Sequence, residues 1–77
     1  MEKHIEIKLF ATLSKFLPPD PDKFPISPGI KVRDVIRELK VPPEDVRIIF
    51  INSVRKDIDT VLQGGERVGI FPPLGGG

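Results

Sequence analysis

The sequence predicts an α+β fold, one helix packed on a mixed sheet of four to five strands. Three observations lead there. The chain opens on a segment with the two-residue period of a half-buried strand. It carries one stretch with the spacing of an amphipathic helix, and it closes on β-branched apolar runs separated by turn signals. With 77 residues there is room for one domain and one core, so helix and sheet have only each other to pack against.

The first strand is His4 to Phe10, with Ile5, Ile7 and Leu9 on one face and His4, Glu6, Lys8 and Phe10 on the other. Ala11 to Leu17 leads into Pro18-Pro19-Asp20-Pro21-Asp22, where repeated prolines forbid a regular ladder. Phe24-Pro25-Ile26 fits a short edge strand, ended by the Pro28-Gly29 turn. Val32, Val35, Ile36 and Leu39 then fall on one stripe of a helix of about two to three turns, closed by Pro42-Pro43. Lys31 stands where Ser, Thr or Asp caps best, so the helix start is weakly specified. Ile48-Ile49-Phe50-Ile51 is too short and too β-branched for a helix and reads as a central strand. Asn52-Ser53 is a turn, Val54-Arg55-Lys56 a brief returning strand, and Asp57 to Leu62 has the acids-first pattern of a single helical turn. Gly64-Gly65 turns the chain into a last strand, Arg67 to Phe71. That order of elements is the β-grasp, with the first and last strands side by side and parallel. It places Phe10 and Phe71 at one end of the sheet, both pointing away from the helix.

Composition narrows the function. Twelve Lys+Arg against eleven Asp+Glu leave a formal net charge of +1, with no basic cluster, which argues against a nucleic-acid partner. No apolar run is long enough to span a bilayer and no signal segment stands at Met1 to His4, so no membrane partner is expected and the expected location is the cytoplasm. Cys is absent and His4 is the only histidine, so thiolate metal sites, side-chain persulfides and nucleophile–histidine catalysis have no material; no metal site and no bound cofactor are expected. His4 reads as a solvated surface residue.

The most informative stretch is Phe71-Pro72-Pro73-Leu74-Gly75-Gly76-Gly77. A strand delivers the chain straight from the core through two stiff prolines into glycines. Glycine lets another protein's backbone approach closely, so this run suits threading into a narrow channel. Extended, Pro72 to Gly77 spans roughly 20 Å at about 3.3 to 3.6 Å per residue. The division expected is a domain over 1–71 and a flexible tail over 72–77.

Ile7-Lys8-Leu9-Phe10-Ala11-Thr12-Leu13 and the closing run from Ile58 to Gly77 resemble the two ends of the MoaD/ThiS group of ubiquitin-like sulfur carriers, most nearly its molybdopterin synthase small subunits. The resemblance spans nearly the whole chain. Lys31 departs from the group's helix-capping Thr or Ser, Asn52-Ser53 from Asn-Gly, Gly64-Gly65-Glu66 from Asp-Gly-Asp, and the third glycine from a diglycine end.

The resemblance implies a carrier, not an enzyme. An activating partner would use ATP to adenylylate the Gly77 carboxylate, and a sulfide or persulfide would convert the mixed anhydride to a thiocarboxylate. A large synthase subunit of the molybdopterin synthase type would then take the sulfur to a pterin precursor. Thiamine thiazole, a thiolated tRNA base or a secondary metabolite are alternative destinations. A protein modifier joined to lysines through Gly77, and a non-covalent adaptor, stay open too. Gly75 and Gly76 would give clearance, with Leu74, Pro72 and Pro73 completing the tail. Phe10 and Phe71, with Ile49, are expected to form an apolar docking patch at the tail exit.

Overall fold

Burial follows the alternation of the first strand. In a computed structural model, which describes residues 3–73, β1 (Lys3–Leu9) buries Ile5, Ile7 and Leu9 and leaves Lys8 and His4 exposed. The other elements are β2 (Phe24–Ile26), β3 (Ile30–Lys31), α1 (Val32–Glu38), β4 (Ile48–Ile51), β5 (Val54–Lys56), β6 (Val61–Leu62) and β7 (Arg67–Phe71). Short 3₁₀ turns cover Ala11–Phe16, Pro21–Lys23 and Pro43–Asp45.

The main sheet runs β2-β1-β7-β4-β5. β1 and β7 are parallel at its centre, with Ile7 opposite Val68 and Leu9 opposite Ile70. Every other pair in this sheet is antiparallel. This is the β-grasp that the order of elements predicts. One face of the sheet takes α1, whose Val32, Val35 and Ile36 are buried against Ile5, Ile7, Ile49, Val68 and Ile70. Asn52 and Ser53 turn β4 into β5 with φ of +52° and +69°, the positive pair that matches strand twist in a two-residue hairpin. Asn52 also pairs with β7: its amide donates to the Arg67 carbonyl at 2.9 Å, and its Oδ1 accepts from the Arg67 amide at 2.9 Å.

Lys31 leaves the helix start weak by sequence, but tertiary contacts replace the missing cap. The Lys31 amide donates to Asp34 Oδ2 at 3.1 Å, while the Val32 and Arg33 amides donate to the carbonyls of Thr60 and Ile58 at 3.0 and 2.8 Å. Two of the four orphan N–H groups of the first turn are thus held by a loop distant in sequence. Arg33 also forks onto Asp59, with Nε and Nη2 at 2.9 and 3.2 Å from the carboxylate oxygens. That hydrogen-bonded guanidinium holds Asp59 below the usual carboxylate range and raises Arg33 in turn. At the other end the chain turns at Lys40, φ +65°, with the Lys40 and Val41 amides donating to Arg37 and Ile36 carbonyls and Val41 buried beyond them. The helix therefore stops in a Schellman motif before reaching Pro42-Pro43.

The segment from Asp57 to Leu62 is corrected. It is not a helical turn: the Asp57 carboxylate accepts the Asp59 amide, the Thr60 amide closes a turn onto the Asp57 carbonyl, and Val61–Leu62 is a strand, β6, paired antiparallel with β3. The acids serve the turn and the ion pair to Arg33, and Leu62 is wholly buried. Among the described residues no helix is long and apolar enough to cross a membrane.

Candidate functional site

The outer face of the sheet, opposite α1, carries the site. Phe10 follows β1, and its amide extends the parallel ladder by donating to the Ile70 carbonyl at 3.2 Å. Ala11 then takes φ +52° and starts a 3₁₀ turn whose Leu13 is buried, so the chain cannot carry Phe10 inward. Phe71 ends β7; its carbonyl accepts the Arg47 amide at 2.9 Å. Pro72 and Pro73 have no N–H to continue the ladder. The rings of Phe10 and Phe71 stack at 4.1 Å between centroids and 4° between planes. Phe10 remains 39% exposed, and Phe71 is half-buried.

Ile49 does not join them. It lies opposite Ile70 on β4, 5% exposed, beneath the helix, because directly opposed residues on antiparallel strands share a face. Its neighbour Phe50 takes the outer position and meets Phe71 edge-on, 5.7 Å between centroids at 80°. Four consecutive apolar residues carry no parity of their own; the register Ile49↔Ile70 and Ile51↔Val68 supplies it. No sequence signal distinguishes Phe50 from Ile49 before that register is known.

The three rings, two from the adjacent strands β4 and β7 and one from the residue that follows β1, wall a hollow of about 260 Å³ whose floor is Gly69 and whose rim carries Lys8, Arg67 and Ser53. The Glu6 carboxylate binds both rim cations, at 3.4 Å to Lys8 and 3.3 Å to Arg67. Arg55, opposite Phe50 on β5, adds a third positive side chain to this face. A wider groove of about 1110 Å³ runs along the end of the sheet, between Lys15 and Phe16 on one side and Asp45 and Arg47 on the other, past Pro72 and Pro73. Leu74, Gly75, Gly76 and Gly77, where the sequence puts the tail chemistry, lie outside the described residues, as does most of the tail segment expected over 72–77.

His4 is exposed opposite Pro25, far along β1 from the phenylalanines. Among the described residues no polar or charged side chain is buried and no group of three or more His, Cys, Asp or Glu is placed to hold a metal. This face presents an apolar surface with a cationic rim, set where β7 ends.

A sequence model of the ThiS family matches residues 7–77 of this chain. No curated protein sequence matches it. Several solved structures are similar, among them three from archaea. The solution structure of the Haloferax volcanii HVO 2177 protein aligns with a TM-score of 0.75 at 20% identity, over 99% of this chain and 88% of that one. A Pyrococcus furiosus protein described as a candidate molybdopterin converting factor, subunit 1, aligns at 0.63 and 27% identity, over 94% and 99%. The crystal structure of SAMP1 from Haloferax volcanii aligns at 0.67 and 18% identity, over 95% and 98%.

Proposed function

The chain belongs to the ThiS family, whose members are small carriers rather than catalysts, and we propose that it carries sulfur as a thiocarboxylate on Gly77. The observation that carries this is the glycine end itself, matched by the family through residue 77 on a chain with no cysteine to hold sulfur otherwise. A carboxylate resists nucleophiles because its leaving group is poor. Attack of a Gly77 carboxylate oxygen on the α-phosphorus of ATP, with loss of pyrophosphate, makes an acyl adenylate. Sulfide then displaces AMP and leaves the thiocarboxylate. The chain supplies only an unhindered acyl group, held in place by the partner that binds ATP.

We assign the sulfur to molybdopterin, in molybdenum or tungsten cofactor synthesis in the cytoplasm, with a large synthase subunit as acceptor. Supporting this is the end-to-end likeness to the Pyrococcus furiosus protein at 27% identity. In this reading the outer-face phenylalanines, Phe50 in place of Ile49, dock the partner while Pro72 and Pro73 direct the tail into it and Gly75 and Gly76 give clearance.

The test is the intact mass of the full chain after incubation with an adenylylating enzyme from the same organism, ATP and sulfide. One oxygen replaced by sulfur at the C-terminus is expected. An unchanged mass, or an isopeptide ladder on other proteins instead, overturns the carrier reading. Complementation of a strain lacking its molybdopterin synthase small subunit checks the pathway. Gly76→Val should block adenylylation while leaving the melting temperature unchanged, since a β-branched side chain obstructs the channel rather than the fold.

A further inference from the structure

Gly69 sits in the middle of β7, between β1 and β4, a position where glycine weakens a sheet. Two ordinary reasons for glycine are missing. Its φ is not in the left-handed region. Nor does another chain segment press on it: a Cβ there would stand 3.5 Å from Phe10 Cε2 and 3.9 Å from Phe50 Cβ, ordinary van der Waals contact. The backbone accepts a side chain, so what glycine preserves is the space above it.

That space is the hollow walled by Phe10, Phe50 and Phe71. We propose that it is an anchor pocket for one side chain of the enzyme that engages the tail, a leucine or methionine flanked by a carboxylate. The walls are aromatic carbon, so a polar occupant would lose its hydrogen bonds to water without replacement, whereas a leucine or a thioether packs on rings. The carboxylate follows from charge. Lys8 and Arg67 on the rim share the single carboxylate of Glu6, and Arg55 has no ion pair among the described residues, so the face keeps an excess of positive charge. The inference rests on the carrier reading only for the partner's identity; the pocket itself is independent of it.

Two measurements test it. Calorimetry of the adenylylating enzyme against full-length Gly69→Leu should show affinity weakened about tenfold or more, with a smaller loss for Gly69→Ala. Both variants should melt at or above the wild-type temperature, Gly69→Ala by about 2 to 4 °C, because a strand gains from losing a glycine. Wild-type affinity in a folded Gly69→Leu overturns the pocket. Separately, ¹⁵N spectra of the wild type are titrated with acetyl-Asp-Leu-Glu-amide and, as a control, acetyl-Asp-Ala-Glu-amide. Amide shifts at Phe10, Gly69 and Phe71 with the leucine peptide alone support the pocket. Equal shifts with both, or none at these residues, overturn it, including where the enzyme fails to bind the wild type and the carrier reading falls by itself. Loss of the sulfur adduct with these shifts retained would sink the carrier reading and leave the pocket standing.

Discussion

The two faces of the main sheet are built from alternate residues of the same strands, yet they answer to different demands. On the helix side Ile5, Ile7, Ile49, Val68 and Ile70 are all within 5% of full burial. On the outer side Phe10, Phe50 and Phe71 are larger and also apolar, but among the described residues no layer lies above them, and they pack on one another. Folding needs the first set. The second keeps apolar surface exposed where β7 ends, which supports the docking role proposed for it.

The comparison breaks most visibly with paired truncations. Ile70→Ala should cost about 2 to 5 kcal/mol in a urea unfolding experiment, the range for emptying a packed core. Phe71→Ala, one residue on, should cost about 0.5 to 1.5 kcal/mol through the lost ring pair. It should also weaken binding to the activating enzyme or large subunit by about 1 kcal/mol or more. If Phe71→Ala destabilised as much as Ile70→Ala with affinity intact, the two faces would not differ in purpose.

A sharper version uses neighbours on β4. Ile49→Ala should lower stability by about 2 kcal/mol or more and leave the affinity of the folded fraction unchanged, whereas Phe50→Ala should do the reverse. Calorimetry at a temperature where both variants are folded separates the effects; a loss of affinity in Ile49→Ala alone would restore Ile49 to the docking surface.

Smaller effects are expected where the helix is tied down. Asp34→Ala removes the acceptor of the Lys31 amide and should lower stability by about 0.3 to 1 kcal/mol, read from thermal melts. The smallest belongs to Asp59. Its carboxyl is held below its ordinary range by the Arg33 hydrogen bond, so the folded state binds that proton less readily than the unfolded chain. The stabilisation is therefore complete above the unfolded value, about 3.9, and is lost as pH falls through the lower folded value. The melting difference between wild type and Asp59→Asn should be constant near neutral pH and close in acid; a difference that persists at the lowest pH at which both fold would assign it to something other than this ion pair.

Alternation and helical spacing are local properties, so the sequence alone determined β1, α1, β7, the parallel centre of the β-grasp and the outward direction of Phe10 and Phe71. The glycine run and the resemblance of both ends of the chain to ThiS-type carriers were legible too, because neither needs coordinates. Only the tertiary structure decided three things. It put Ile49 in the core and Phe50 outside, since a run of apolar residues has no face until a partner strand gives it one. It made Val61–Leu62 a strand, since two residues acquire a conformation from β3 rather than from themselves. It also opened the hollow over Gly69, because the space above a glycine is defined by three rings that lie far apart in sequence and meet only when the sheet forms.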